Sequence, residues 1–452
     1  MVKLAAFGAG LLLASSLASA QIPYTDDSVF RGLGGQEGIH DIVETFMPIV
    51  LSDPRIKEFF SGIDIEQLKV RLGEQFCEVS GGPCQFRSKY KIRDMQSIEK
   101  DVVCETPEGP CKYVGAYKDR DMHMVHEDLK LKDFHFNALA EDLQIAMERN
   151  HVPTSVSNKL IARLAPLRRE IVTSNAPAER WPEMGKFIAT GGVSQVEGAG
   201  GGGIVPWALI TGYGTRDSWG ANAHYTYVKT RDYSLKTYGV AVGLYDRVEL
   251  SLAQQQFEGE LAPLDQLNIK QDIFGVKVRV AGDAVYAQDS WLPQIAVGAM
   301  YKKNKGIGGL GALGVTNVKQ LGAKDDTGYD VYLSATKVLF EQSLLLNGTL
   351  RSTRANQMGL LGFGGDLHGG RRIQPEISAA WLLTRQLAAG AEWRRKPHNL
   401  GVDNEKNYYD VFVAWFPSRN LSLTAAYANL GDITIFNPKT QKGVYFSVQA
   451  GF

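Results

Sequence analysis

Two periods of hydrophobic and polar residues divide the chain. Between Asp27 and Val172 the apolar residues recur every three or four positions, as on one face of an amphipathic helix. Ile39, Ile42 and Phe46 are examples from the first such stretch. This part of the chain is therefore predicted to be all-α. Further stripes lie at Leu68, Leu72 and Phe76, at Phe136, Leu139, Leu143 and Ala146, and at Leu160, Leu164 and Leu167.

Beyond about residue 187 the period becomes two. Tyr329, Val331 and Leu333 show the alternation, and the chain ends on an alternating segment whose last residue is Phe452. Segments of about ten alternating residues between turns are typical of transmembrane β-barrels, and we expect about twelve to fourteen. A soluble β-sandwich or β-solenoid is the alternative, but it does not account for the terminal aromatic or for the Tyr and Trp residues at strand ends. The predicted fold class is multidomain α and β, an all-α domain followed by an antiparallel transmembrane β-barrel.

Length and composition set the domain plan. The 452 residues are enough for two or three domains, and 49 acidic against 49 basic residues give no reason to expect a nucleic-acid partner. The apolar run from Leu4 to Leu17, followed by Ala18-Ser19-Ala20, is typical of a secretory signal peptide. The predicted segments are a signal peptide at 1–20, a helical domain at 27–175, a linker at 176–186 and a barrel domain at 187–452.

The four cysteines lie in an internal repeat. The segment from Cys77 to Cys84 is echoed by that from Cys104 to Cys111, and the match continues at a constant shift through 77–99 and 104–126. This indicates a tandem duplication before His126, where the first copy has Glu99. Because an exported protein can oxidise its thiols, the local disulfides Cys77–Cys84 and Cys104–Cys111 are expected. Other pairings, and a four-thiol zinc site with unusually long ligand spacing, are the alternatives.

Two histidines, His123 and His126, end the second copy of the repeat. A neutral imidazole in an apolar helical setting is the kind of ligand that a haem iron takes. On its own this signal is weak, because a lone histidine in a helix is usually a surface or core residue. The flanking motifs decide how it is interpreted.

A series of short motifs runs through the helical part. They are Phe30-Arg31-Gly32-Leu33-Gly34-Gly35, Leu51-Ser52-Asp53-Pro54-Arg55, Phe59-Phe60-Ser61-Gly62, Gly81-Gly82-Pro83-Cys84, Met122-x-x-x-His126 and Leu164 to Val172. In order and spacing this part of the chain, roughly 27–175, resembles the group I truncated haemoglobins, which are two-over-two helical globins. The resemblance implies haem b with His126 as the iron ligand and no ligand role for His123. Covalently attached haem is not expected, because there is no Cys-x-x-Cys-His motif.

The same resemblance implies which side chains contact the haem. Many members of the family have a tyrosine at the Met47 position and a glutamine at the Leu72 position, which donate hydrogen bonds to bound oxygen. Both positions are apolar here. Since such a bond is worth about 1.5–3 kcal/mol, oxygen should dissociate quickly, or the site should favour NO or CO. The expected haem contacts are Phe46, Met47, Phe60, Leu68, Leu72, Phe76, Tyr117, Met122 and Phe136.

The barrel half carries a second resemblance. The block from Phe187 to Gly198, the run Gly200 to Gly203 and the block from Val205 to Ile210 resemble a family of Gram-negative outer-membrane proteins of unknown function. This resemblance covers about 185–452 and implies no activity. The glycine run lacks the Gly-Lys-Ser/Thr ending of a phosphate loop. The glycine-rich stretches 306–314 and 359–370 are expected to be external loops or an inward plug.

Together these features predict a haem-binding globin anchored to the bacterial outer membrane, with oxygen, NO or CO as ligand and membrane lipid as a partner. A linker that spans at most about 3.3–3.6 Å per residue cannot cross a hydrocarbon core of about 30 Å. The globin is therefore expected on the periplasmic side, with the short strand turns. NO dioxygenase-type turnover would need an external reductant. The alternative is an outer-membrane pore or structural barrel, with the globin as a sensor, plug or relic.

Overall fold

The computed structural model describes residues 26–84, 102–104, 111–113, 123, 126–174, 188–189, 193–213, 215–262 and 264–451. The predicted signal peptide and linker, most of the duplicated segment with Glu99, and the expected haem contacts Tyr117 and Met122 lie outside these residues. In the described part, a helical region is followed by a closed β-barrel. The predicted fold class is confirmed.

The helical region follows the apolar stripes of the sequence. Gly34 and Gly35, both with positive φ, form the turn between the first two helices. The Asp64 side chain caps the third helix by accepting a hydrogen bond from the Gln67 N–H at 3.1 Å. Of the helices described, none is both long and apolar enough to cross a membrane. The α-helices are α1 (Ser28–Gly32), α2 (Gly35–Ser52), α3 (Ile65–Val79), α4 (Asp133–Arg149), α5 (Thr154–Leu164) and α6 (Arg168–Ile171), and 3-10 turns lie at Lys57–Phe60, Glu127–Leu129 and Ala165–Leu167.

The cysteine segment adds two short strands to the helical region. Strand β1 (Val102–Cys104) pairs antiparallel with β2 (Cys111–Tyr113), in a register that aligns Cys104 with Cys111. A disulfide joins Cys77, near the end of α3, to Cys84. This bridge leaves neither of those two thiols for a zinc ion, and the side chains of the other two cysteines lie outside the described residues.

Twelve antiparallel strands close into a barrel in which the last strand pairs with the first. This number is within the range predicted from the sequence. The barrel strands are β5 (Trp219–Thr230), β6 (Tyr233–Leu244), β7 (Val248–Gly259), β8 (Asn268–Ala281), β9 (Gln294–Gly308), β10 (Thr327–Leu339), β11 (Leu344–Thr353), β12 (Arg372–Thr384), β13 (Leu387–Arg394), β14 (Tyr408–Ser418), β15 (Leu421–Asn429) and β16 (Lys442–Gly451).

The barrel is apolar outside and polar inside. On β10 the outward residues Tyr329, Val331 and Leu333 are exposed, whereas the inward residues Asp330 and Ser334 are fully buried. Strands β14 and β16 alternate in the same sense, with Val411, Val413, Trp415, Val444, Phe446 and Val448 exposed on the outside.

A segment of residues 193–213, which we call the plug, fills part of the lumen. It contains the short paired strands β3 (Val193–Ser194) and β4 (Gly200–Gly201). The barrel domain is predicted from residue 187, whereas the first barrel strand starts at Trp219. The glycine run explains the difference: a Cβ on Gly202 would collide with the Glu392 carboxylate on the barrel wall. A chain this close to the wall needs glycine, and it packs as a plug rather than as a strand.

Buried ion pairs hold the plug in place. Glu197 of the plug is fully buried and accepts hydrogen bonds from Lys302 and, at 2.5 Å, from Arg394. Arg351 lies 3.2 Å from the same carboxylate. Nearby, the Lys277 ammonium donates to three plug carbonyls at 2.7–3.1 Å and pairs with Glu249 at 2.8 Å. The plug is therefore fixed by charges on several strands at once.

The two ends of the barrel differ. One end, the short-turn end, has the connections 245–247, 282–293, 340–343, 385–386 and 419–420, together with the start of β5 and the end of β16. The other end has longer loops in most places, at 231–232, 260–267, 309–326, 354–371, 395–407 and 430–441. Part of the 354–371 loop turns inward, as the buried Gln357, Met358 and Phe363 show. Of the two glycine-rich stretches, 359–370 thus belongs to a loop that turns into the lumen, in addition to the plug.

Candidate functional site

One cavity of about 360 Å³ lies between the helices and extends toward the barrel. His126 lines it, whereas His123 is exposed on the surface. The structure therefore brings the expected iron ligand together with every expected haem contact that lies among the described residues. Those contacts are Phe46, Met47, Phe60, Leu68, Leu72, Phe76 and Phe136.

Two helices form the apolar walls near His126. Phe46 and Met47 on α2 are almost completely buried. Leu68, Leu72 and Phe76 are spaced by four residues and so lie along one face of α3. The Phe46 and Phe76 rings, 6.3 Å apart between centroids at 57°, close the end of the slot. The cavity is mostly apolar and lies between packed helices.

Local backbone structure positions His126. It is half-buried and immediately precedes the 3-10 turn Glu127–Leu129, which Lys130 ends in a left-handed conformation. The Thr173 hydroxyl donates to the His126 carbonyl at 3.4 Å, which ties this turn to the end of the last helix. The Leu131 carbonyl accepts the N–H groups of Thr173 and Ser174 at 3.1 and 3.0 Å. The histidine is thus fixed by the chain on both sides of it.

The sequence did not single out three polar residues that also line the cavity: Gln75, Asn137 and Gln144. Gln75 lies three residues after Leu72 on α3, so helical spacing was a signal that could have found it. Gln144 follows Leu143 on α4. Amides donate hydrogen bonds, so these two residues offer donors in a pocket whose expected distal positions are apolar.

The barrel also contributes to the cavity. The Phe136 ring lies edge-on to that of Tyr286, with centroids 6.3 Å apart. The Tyr286 hydroxyl donates to the Asn137 side chain at 2.8 Å, and the Arg168 guanidinium lies 4.6 Å above the Tyr286 ring. Tyr286 belongs to the 282–293 connection, far from the globin in sequence. No local pattern could have placed it there.

Ion pairs join the globin to the short-turn end of the barrel. Arg385 pairs with Glu148 at 3.1 Å, and Arg169 pairs with Asp289 at 2.5 Å. The Asn158 side chain donates to the Ser343 hydroxyl at 3.0 Å. These barrel residues all lie in the short connections, so the globin sits on that end of the barrel.

A buried acidic network lies at the same junction. Glu141 accepts from Arg419 of the barrel at 3.0 Å and pairs with Arg55 of the globin at 3.0 Å. Burial, reinforced by the negative charge of Asp53, raises the pKa of the neighbouring Asp142 to about 7. One oxygen of Asp142 has no hydrogen-bond partner among the described residues. With Asp142 protonated, two carboxylates face two guanidinium groups, and the charges balance.

Comparison with known families now decides the affiliation. Residues 190–449, more than half of the chain, match the family described as "Protein of unknown function (DUF3034)". The chain belongs to this family. The plug and the barrel together form the matched region. A second match, to the family described as "Bacterial-like globin", covers residues 28–95, so this DUF3034 protein also carries a globin domain.

Individual relatives agree with this division. The Group 1 truncated hemoglobin GlbN of Mycolicibacterium paratuberculosis is 27% identical over 149 residues, which is 33% of this chain and 87% of the relative. A truncated hemoglobin structure from Tetrahymena pyriformis covers 32% of this chain and 97% of its own, at 21% identity and a TM-score of 0.24. The NanC porin covers 51% of this chain and 98% of its own, at 9% identity and a TM-score of 0.35. A globin-like region thus precedes a twelve-stranded barrel in this chain.

The residues of the cavity fit a haem. A macrocycle needs an apolar space between packed side chains, and residues of α2, α3 and α4 line such a space. Its iron needs a strong donor such as imidazole. His126 is a donor of this kind and lines the slot. A disulfide already occupies Cys77 and Cys84, and the described residues hold no group of three or more histidine, cysteine or acidic side chains suited to a bare metal ion. The donor set therefore suits a haem better than a bare metal ion.

Proposed function

We propose that this protein is a haem-binding globin anchored in the bacterial outer membrane, which binds oxygen, NO or CO in the periplasm. The observation that carries the proposal is the position of His126, an imidazole that lines an apolar slot between the helices. Haem b, when bound, supplies an iron atom that takes up a diatomic gas. The residues of this chain would hold the haem and keep water away from it.

The slot residues would hold the macrocycle and keep water away from it. Phe60 and Phe136 would pack on its faces or edges, while Leu68 and Leu72 would cover the side opposite His126. Met47, which is fully buried, would limit the space left for a gas molecule. Such a site disfavours strongly polar ligands, because the few amide donors that line it, such as Gln75 and Gln144, would repay only part of their desolvation. It would favour small apolar molecules.

The barrel supports the proposed location. Its exposed outer face is apolar, which suits hydrocarbon, and its buried inner face is polar. In barrels of this kind the short turns lie on the periplasmic side, and the globin sits on the short-turn end. An exported globin in the periplasm would be in an oxidising compartment, where the Cys77–Cys84 disulfide is stable.

The alternative of an open pore has less support. Plug residues such as Glu197 are fully buried in the lumen, and the globin covers one end. NO dioxygenase-type turnover would additionally need a reductant from outside the chain. Reversible gas binding therefore accounts for the site with the fewest additional components.

Two measurements test this proposal. The purified full-length protein should show a Soret band after expression or after reconstitution with haem, and no band after reconstitution would overturn haem binding.

Protease added to intact cells should release no haem-bearing fragment, whereas protease added after outer-membrane permeabilisation should release one ending in the linker. A fragment released from intact cells would overturn the periplasmic orientation.

A further inference from the structure

The cavity that contains His126 does not end at the globin. It continues past α4 and α5 into the short-turn end of the barrel, where residues of the plug and of the barrel wall line it. We call this second part the mouth chamber, bounded by Trp207 of the plug and by Ala380, Ala388 and Ala414 of the barrel wall. The globin side of the same cavity includes Ile161. The two domains thus enclose one space.

The barrel wall changes character at this chamber. On β14 the inward positions run from Asp410 to Phe412 and Ala414, and on β13 from Glu392 to Ala388. On these two strands the lumen is therefore charged at mid-height and apolar toward the short-turn end. Elsewhere at that end the lining includes Arg279 of β8, whose charge is paired with Asp246 and Asp283. A barrel lumen in a membrane is ordinarily polar, so an apolar lining needs an explanation.

Packing against the globin explains only part of this lining. If the apolar residues served only to seat the globin, large side chains would fill the space, as they do in a close-packed interior. Instead, three of the wall positions are alanine beside larger residues such as Phe412, and the cavity that they line is continuous with the globin side. The floor is closed by Trp207, whose indole N–H donates to Ser378 at 3.0 Å. The chamber is thus bounded by side chains of the plug and the barrel wall, and a hydrogen bond holds Trp207 in place at its floor.

The mostly apolar lining of the chamber favours one class of ligand. A mainly apolar cavity favours small apolar molecules over polar ones. A diatomic gas needs no hydrogen bonds and is small enough to pass between side chains. A charged or strongly polar molecule would lose its hydration without compensation. The chamber also opens into the space lined by His126, so its occupant has a route to the site proposed for the iron.

We propose that the mouth chamber is a second binding site for the diatomic gas, from which the gas reaches the pocket beside His126. This inference rests on the proposed function of the globin. The barrel is then more than an anchor, because its wall residues help to set the rate at which the gas enters and leaves. Ala388 and Ala414 are the residues whose size should control this rate.

Xenon is the first probe, and its binding does not depend on haem. In full-length protein in detergent with ¹³C-labelled alanine methyl groups, xenon pressure should shift the signals of Ala388 and Ala414. It should leave the signal of Ala391 unchanged, since Ala391 faces outward on β13. Absence of shifts at the chamber alanines would overturn the proposal. Shifts that appear only after lipid is stripped away would assign the chamber to an acyl chain and also overturn it.

Carbon monoxide rebinding after flash photolysis is the second probe, on haem-loaded protein. Ala388→Phe and Ala414→Phe should change the rate of CO entry several-fold while leaving the Soret band in place. The matched control is Ala391→Phe, which adds the same side chain to the outer face of the same strand as Ala388. Entry rates equal to the control, with an intact Soret band, would overturn this inference alone. Loss of haem binding in the wild type would instead overturn the proposed function.

Discussion

The globin and the barrel distribute hydrophobic and polar residues in opposite ways. In the globin, Ile42 and Phe46 are buried and charged residues such as Glu66 face the solvent. In the barrel, Leu333 is exposed, while Ser334 beside it in sequence is fully buried. Each region places its apolar surface away from water, and in the proposed outer-membrane location the barrel would do so by facing lipid. Whether apolar side chains face inward or outward therefore depends on whether the surrounding medium is water or an apolar one.

The junction between the two regions is where these opposite patterns meet. Strands β13 and β14 of the barrel become apolar on their inner side where they line the shared cavity, and the nearby globin surface carries acidic residues that pair with arginines of the barrel turns. The junction therefore buries apolar side chains at its centre, as the globin does, and has charged side chains at its rim. The predictions below test this contrast, beginning with the largest expected effect.

His126→Ala should abolish haem retention or make it depend on added imidazole. The physical reason is that His126 is the imidazole lining the slot, whereas His123 is exposed. The measurement is the absorption spectrum of the reconstituted protein. His123→Ala is the matched control and should keep the wild-type spectrum. The opposite pattern would show that the iron ligand has been assigned to the wrong histidine.

Glu197→Ala should loosen the plug. It leaves the buried cations Lys302, Arg351 and Arg394 facing only Asp330 and Glu376. Removing one partner of a buried ion pair typically costs about 3–5 kcal/mol. Urea unfolding in detergent measures the stability, and conductance in planar bilayers measures the opening. The exposed pair Lys229–Glu260 offers a control, and Glu260→Ala should cost at most about 1 kcal/mol. Equal costs at the two sites would argue against a plug held by buried charge.

Leu333→Arg should destabilise the barrel, while Val70→Arg should leave the globin nearly unaffected. Both side chains are exposed, at 45% and 60%. Arginine on the lipid-facing surface of a barrel costs about 2–4 kcal/mol at the membrane midplane, whereas a water-facing helix tolerates it. Unfolding in lipid bilayers and thermal denaturation of the globin report the two effects. If both substitutions prove harmless, the outer face of the barrel does not meet hydrocarbon.

The double substitution Met47→Tyr with Leu72→Gln should slow oxygen release about tenfold or more, because each 1.4 kcal/mol corresponds to a factor of ten. Stopped-flow measurement of oxygen release from reduced, haem-loaded protein provides the readout. A slow rate already in the wild type would mean that another donor is present. Gln75→Leu and Gln144→Leu would then show whether either cavity amide supplies it.

The junction should respond to pH through Asp142, as a gradual slope rather than a loss at one pH. The pKa of Asp142 is raised from 3.8 to about 7 in the folded protein, mainly by burial. Between these values the folded state retains a proton that the unfolded state has released, so the free energy of unfolding should fall as pH rises from about 4 to about 7. Asp142→Asn should flatten that part of the profile in thermal denaturation. An unchanged slope would place the titrating group elsewhere.

Local patterns predicted the elements well but could not predict their assembly. The stripes at Leu68, Leu72 and Phe76 indicated a helix, and the structure has α3 there. The glycine run from Gly200 to Gly203 could be excluded as a phosphate loop, but its place in the plug could not be predicted. Whether such a segment pairs or threads the lumen depends on residues such as Glu249 and Lys277, which are distant in sequence. No window of neighbouring residues contains that information.

The candidate site divides in the same way. His126 and the apolar residues around it could be named from the motifs, because they lie in the globin part of the chain at the spacing of its relatives. Trp207, Tyr286 and Ala414 could not, since they reach the same cavity from the plug, a connection and a distant strand. Gln75 is intermediate, because helical spacing could have found it.

By itself the sequence determined the change of period from helix to strand, the inside-out pattern of the barrel and the identity of the globin motifs. These properties are local, because each residue type shows whether its side chain is suited to water or to an apolar surrounding. Only the tertiary structure decided that 193–213 forms a plug, that the globin sits on the short-turn end and that one cavity spans both domains. These features depend on contacts between residues far apart in the chain, such as Glu197 with Arg394 and Glu141 with Arg419. Such contacts exist only after the barrel has closed and given the lumen its shape.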